Sequence, residues 1–109
     1  GTDLEEADFT DAELDEGDLS ECKLRGSRFV GARARSSLWI RADLRDADLT
    51  RLDALMAVMQ KANIEGANFA KANLFRADFA YILGNVATNF EGALMTEIRF
   101  VDRGDHGSR

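Results

Sequence analysis

One cysteine and one histidine, Cys22 and His106, stand in a chain of 109 residues. A lone cysteine excludes an internal disulfide framework, and these two residues cannot by themselves supply a zinc site. Neither a metal nor a cofactor is expected, so the fold must rest on packing. No apolar run approaches the ~18 residues of a membrane-spanning helix, and no basic start followed by an apolar stretch marks a secretory signal. The expectation is a soluble, cytoplasmic chain without a membrane partner, a secretion-associated role being the alternative. Positive charge is also in deficit. Fourteen Lys and Arg against 20 Asp and Glu give a net charge of -6, which argues against direct nucleic-acid binding driven by counterion release. What remains is ordinary for a folded protein, with 45% hydrophobic and 31% charged residues, at a length suited to one domain.

The pattern within that composition has a period of five. Steps of five from Leu4 meet Leu4, Phe9, Leu14, Leu19, Leu24, Phe29, Ala34, Trp39, Leu44, Leu49, Ala54, Met59, Ile64, Phe69, Leu74 and Phe79, large and apolar at all but the two alanines. Two residues before each of these stands a small residue, with Leu52 the one exception. Five matches neither the 3.6 residues of a helical turn nor the 2.0 of a strand, so a plain bundle or sandwich is excluded. The chain must turn a corner once per unit. The large and small residues then point inward, and coils stack through backbone hydrogen bonds at ~4.8 Å around a column of side chains.

Runs such as Ala42-Asp43-Leu44, Ala47-Asp48-Leu49, Ala67-Asn68-Phe69, Ala72-Asn73-Leu74 and Ala77-Asp78-Phe79 resemble the A(D/N)LXX signature of pentapeptide-repeat proteins, over residues 2 to 81. The resemblance implies an all-β fold, a right-handed quadrilateral parallel β-helix with four pentapeptides per coil and about five coils. Residues twenty apart should then stack, with Phe9, Phe29, Trp39, Met59, Phe69 and Phe79 among the core side chains. Small Ala34 and Ala54 in one column should be compensated by Trp39 and by the inward Leu52, as a close-packed interior demands.

Charge follows the same spacing. Residues 1 to 22 carry acidic side chains at ten positions and no Lys or Arg, whereas residues 23 to 51 are mainly basic. A step of twenty sets Asp3 on Lys23, Glu5 on Arg25, Asp8 on Arg28, Glu13 on Arg33, Asp15 on Arg35 and Glu21 on Arg41. These stacks are expected to set coil register, since exposed pairs add little stability. Leu52, Leu55, Met56 and Met59 also have the spacing of an amphipathic helix, but the five-step register resumes at Ile64 without an insertion, so the segment is assigned to the coil.

The domain is expected to span residues 1–102, with a register shift near 82–86, where Gly84 and Asn85 suit a turn. Residues 103–109 are expected to form a flexible tail. A repeat already running at Thr2 suggests a piece of a longer protein, the alternative being an acidic first coil that caps itself or meets a partner.

Function is less legible. Outward residues of a solenoid lie on flat or convex walls, which argues against convergent acid–base groups, and no phosphate-cradling glycine loop is present, so a non-enzyme is expected. Cys22, at a small inward position, reads as a buried inert thiol. Leu38, Ile40, Leu55, Met56, Val58, Phe75 and Tyr81 are apolar at outward positions and are the candidate residues for binding a protein partner, self-association included. Scattered apolar residues or a helix bulged out over 52 to 59 are the competing readings. The resemblance to the family implies another alternative, an acidic rod that mimics duplex DNA and binds a type II topoisomerase such as gyrase. Residues 72–101 also resemble the C-terminal repeat tails of bacterial type VI secretion accessory proteins.

Overall fold

The computed structural model describes residues 2–101. Their backbone forms a quadrilateral parallel β-helix of five coils, over residues 2–21, 22–41, 42–61, 62–81 and 82–101. Each coil has four short faces, each face contributes one bridging residue to a parallel ladder, and a two-residue turn makes every corner. The four ladders start at Asp3↔Lys23, Asp8↔Arg28, Glu13↔Arg33 and Asp18↔Leu38, on what we number the first to fourth faces. They run straight through residues 52 to 59, so the helical spacing there has no helical counterpart.

The A(D/N)L unit follows from where the backbone donors go. In the third coil the Asp43 N–H donates to the Cys22 carbonyl below, the Leu44 N–H to the Asn63 carbonyl above, and the Asp46 N–H to the Glu65 carbonyl above. The Ala47 N–H closes the corner onto the Leu44 carbonyl. The Arg45 N–H is left without a backbone acceptor and donates to Asp43 Oδ1 at 3.2 Å. The same bond recurs from Thr10 to Asp8, Ser20 to Asp18, Thr50 to Asp48, Ala70 to Asn68, Phe75 to Asn73 and Ala80 to Asp78. A short side chain with an acceptor oxygen is what that position needs.

The second corner residue takes a left-handed conformation nearly everywhere, with φ of 61° at Glu6, 59° at Met56 and 60° at Tyr81. Glycine relieves this at Gly66 (φ 72°), where an added Cβ would also collide with the Asp46 carboxylate one coil below.

Side chains fill the bore. Trp39, Phe29, Met59, Phe69 and Phe79 are fully buried, and Phe29 stacks on Phe9 with ring centroids 4.8 Å apart. Phe9 itself is only half-buried, because among the described residues only the coil above covers it. The Trp39 indole meets Phe29 edge-on at 5.0 Å, beside the small Ala34, and its N–H donates to Ser37 Oγ at 2.6 Å. Ser37 Oγ in turn donates to the Ala34 carbonyl, so no polar atom of this buried group is orphaned. Leu52 points fully inward next to Ala54, exchanging the usual order of small and large within one unit.

The ladder spacing changes once. Up to Asn63↔Leu83 each partner lies twenty residues on, and from Asn68↔Asn89 to Asp78↔Arg99 it lies twenty-one on. The extra residue falls at the first corner of the last coil. There Asn85 Oδ1 accepts the Gly66 N–H at 3.0 Å, replacing a displaced backbone carbonyl, and Thr88 Oγ1 donates to the Ile64 carbonyl at 2.9 Å. The tail expected at 103–109 lies outside the described residues.

The charge stacks need correcting. Asp3, Asp8 and Glu13 do sit under Lys23, Arg28 and Arg33 in the ladders. None of the six expected pairs forms an ion pair among the described residues. The pairs run diagonally instead, as Arg33–Asp15 at 3.0 Å, Arg35–Asp53 at 2.7 Å and Arg25–Asp46 at 3.6 Å. Asp3 and Asp8 turn their carboxylates along the chain to accept the N–H two residues on, which aims them away from the residue above. The second coil carries Lys23, Arg28, Arg33 and Leu38 where the other coils mostly carry Asp or Asn, and it borrows acceptors from the first. Asp15 Oδ1 accepts the Arg35 N–H at 2.9 Å, and Ser20 Oγ accepts the Ile40 N–H at 3.2 Å.

Candidate interaction face

The outward column of the fourth face reads Asp18, Leu38, Val58, Asp78 and Arg99, each bridged to the next. Leu38 and Val58 are therefore neighbours on adjacent rungs, ~4.8 Å apart. Leu38 is 36% exposed and Val58 half-buried. Ile40, half-buried, lies where this face turns into the next, and Tyr81, 38% exposed, occupies the same edge two coils higher. Leu55 and Phe75, both half-buried, and Met56, 48% exposed, lie on the opposite edge, where the third face turns into the fourth. The fold thus gathers all seven candidate residues onto the fourth face and its two bordering corners. Met56 and Tyr81 occupy left-handed corner positions, which cost a bulky side chain about 1–2 kcal/mol each and which other corners fill with glycine or a polar residue.

Charge around this surface is unevenly balanced. Asp78 accepts from Gln60 at 2.7 Å and pairs with Arg99 at 2.9 Å. Burial pushes the Asp78 carboxyl up, but bonds from Gln60, the Ala80 N–H and Arg99 outweigh it and hold the group below the ordinary carboxylate range. Asp53 is held by Arg35 and by Asn73 Nδ2 at 3.1 Å, and Glu97 by Arg76 at 2.6 Å. The Arg76 guanidinium also lies over the Phe75 ring, 5.6 Å from its centroid. Arg41 and Lys61, on successive rungs of the far corner, form no ion pair among the described residues. Below them the first coil ends in Asp18 and Glu21, both exposed.

Sequence reasoning did not register this balance, because it paired Arg41 with Glu21 by rung alone. It also did not single out Val86, Leu94 and Phe100, which are exposed on the last coil. The first corner carries two open grooves of about 310 and 280 Å3, lined chiefly by Glu5, Glu6, Arg25 and Asp46 and by Arg45, Glu65 and Asn85. The Arg25–Asp46 pair lies between them. Among the described residues no group of three or more His, Cys, Asp or Glu is placed to hold a metal, and no helix is long and apolar enough to cross a membrane. His106 lies outside the described residues.

A four-sided coil with one inward large residue per pentapeptide defines a repeat solenoid of the β-helix class. The sequence model for pentapeptide repeats matches in eight copies, over residues 1–26, 27–65 and 57–81, and the chain belongs to that family, whose members form right-handed quadrilateral β-helices and serve as structural repeat modules. Among solved structures, a pentapeptide repeat protein from the Arabidopsis thaliana thylakoid lumen is similar at 30% identity and a TM-score of 0.52, over 84% of this chain and 60% of that one. QnrB1, a plasmid-mediated fluoroquinolone resistance protein, is similar in fold at 19% identity and a TM-score of 0.56, over 84% of this chain and 46% of that one. The chain therefore spans 46 to 60% of the length of these two proteins. No match is found among curated proteins.

Proposed function

We propose that the chain is a non-catalytic interaction module that binds a protein partner through its fourth face. The observation that carries this reading is the contiguity of Leu38, Val58, Ile40, Leu55, Met56, Phe75 and Tyr81 on one wall of a solenoid whose core is already closed beneath them. Asp or Asn at the outward position accepts the following N–H in many units of this β-helix, and Leu38 and Val58 forgo the bond that Asp18 and Asp78 make in the same column. Apolar side chains there weaken the turn and expose carbon to water, a combination that serves contact with another surface.

That same feature supplies the test. Val58→Asn supplies an acceptor for the following Gln60 N–H, Leu38→Asn offers the Ile40 N–H an acceptor besides Ser20 Oγ, and together they erase the centre of the patch. Wild type and double variant are used as bait against lysate of the source cells, and retained proteins are compared. A partner held by the wild type and lost by a variant of equal or higher melting temperature supports the reading. Identical retention by both sinks it.

The exposed carboxylates of the first coil favour a second reading, the DNA-mimicking binder of a type II topoisomerase that family membership suggests. Against it, such a mimic needs negative charge along a whole rod face, whereas here basic residues follow from Lys23 onward. Inhibition of gyrase supercoiling at micromolar protein would put this reading first.

A further inference from the structure

We infer that the occupant of the fourth face is an amphipathic α-helix lying along the solenoid axis, with acidic residues on the flank that meets Arg41 and Lys61. The inference rests on the patch being a docking surface and adds the chemistry of what docks. Its first ground is charge. Asp53, Asp78 and Glu97 beside the second to fifth coils of the patch are each held in an ion pair, the exposed Asp18 and Glu21 lie one coil below it, and Arg41 and Lys61 on its far edge form no ion pair among the described residues. The surface at the second and third coils therefore presents apolar carbon beside net positive charge, which a partner carrying carboxylates complements.

The second ground is spacing. Leu38 and Val58, and likewise Arg41 and Lys61, repeat at the ladder interval of ~4.8 Å. An α-helix laid along that direction repeats every 5.4 Å, so residues at i and i+4 stay within ~1 Å of successive rungs. An extended strand laid the same way repeats on one side every ~6.8 Å and falls out of step after one rung. The corners assist, because Met56 on one edge and Ile40 on the other border the shorter Leu38–Val58 column and flank a helix seated on it. A second copy is the weaker occupant. Paired face to face with its coils reversed about the Leu38–Val58 midpoint, it would set Arg41 against its own counterpart's Lys61.

The test uses a fluorescein-labelled stapled helix of roughly fifteen residues, with leucines at i, i+4, i+7 and i+11 and glutamates along one flank, and a twin with lysines for the glutamates. Anisotropy titrations against the chain should show the acidic helix binding at least about tenfold tighter than its twin, with an advantage that shrinks in high salt. Arg41→Glu with Lys61→Glu should invert the preference, and Leu38→Asn with Val58→Asn should abolish binding of both. Equal binding of the two helices, no binding of either, or indifference to the charge reversal overturns the inference. The failures are separable from those of the patch itself. A cellular partner lost with Leu38→Asn and Val58→Asn but untouched by the charge reversal leaves the patch standing without its acidic helix. A concentration-dependent dimer in sedimentation that the same two asparagines dissolve, with no helix bound, assigns the face to a second copy.

Discussion

Replacing Trp39 by alanine empties the largest side-chain volume in the bore. The indole is fully buried, packs edge-on against Phe29 at 5.0 Å and gives its N–H to Ser37. Its neighbours in the second and third coils include Ala34 and Ala54, which are too small to swing into the space, and the ladder bonds above and below Trp39 hold the coils apart. Collapse is therefore restricted, and the loss belongs at the upper end of the ~3–5 kcal/mol usual for a buried aromatic cut to alanine. Ser37 Oγ keeps its own donor bond to the Ala34 carbonyl, so no unsatisfied polar group adds to the cost. For a chain of this size ~4 kcal/mol lowers the melting temperature by on the order of 20 °C. Urea denaturation followed by circular dichroism measures it, with Trp39→Phe as the control that keeps a ring against Phe29 and must lose less. An alanine variant within about 1 kcal/mol of wild type would refute the claim that the bore is close-packed at this rung.

Three further outcomes follow from the same geometry. Leu52→Ala and Ala54→Leu should each destabilise, by ~2–5 and ~1–3 kcal/mol, yet the double variant, which restores small-then-large order, should cost clearly less than their sum; additive losses in urea melts would show that the two positions do not share one volume. Asp43 is held low by the Arg45 guanidinium and Asp78 by the bonds described above, so the stability they contribute is present above the unfolded-state value near pH 3.9 and disappears as pH falls through their lower folded values. Melting temperature should accordingly fall as pH drops from about 5 to 2, and fall less steeply in Asp43→Asn with Asp78→Asn, where a parallel curve would contradict the assignment. Met56→Gly relieves a left-handed corner at the expense of unfolded-chain entropy, so it should leave the protein level with wild type or up to about 1 kcal/mol more stable while weakening partner capture; a loss of stability beyond about 1 kcal/mol would mean Met56 packs as core.

How far the molecule was legible depended on whether a feature is periodic. The inward positions of Phe29, Trp39 and Phe69, and the ladder partners of Asp3, Asp8 and Glu13, follow from counting in fives and twenties. Side-chain direction does not. Asp8 and Asp15 occupy rungs below basic residues, yet one turns to cap its own corner and the other serves two arginines of the coil above. Which carboxylate pairs with which guanidinium is decided by unfilled backbone donors, and a sequence repeat does not display them.

The amino-acid order alone determines the winding, because a small residue, a short acceptor and a large apolar residue every five positions leave the backbone only one way to bury carbon and satisfy its N–H groups. The wall that faces a partner is a tertiary matter. Leu38, Met56, Val58 and Tyr81 are far enough apart along the chain that only stacked coils make them one surface, and only side-chain direction, which sends neighbouring carboxylates to other arginines, leaves Arg41 and Lys61 outside any ion pair among the described residues.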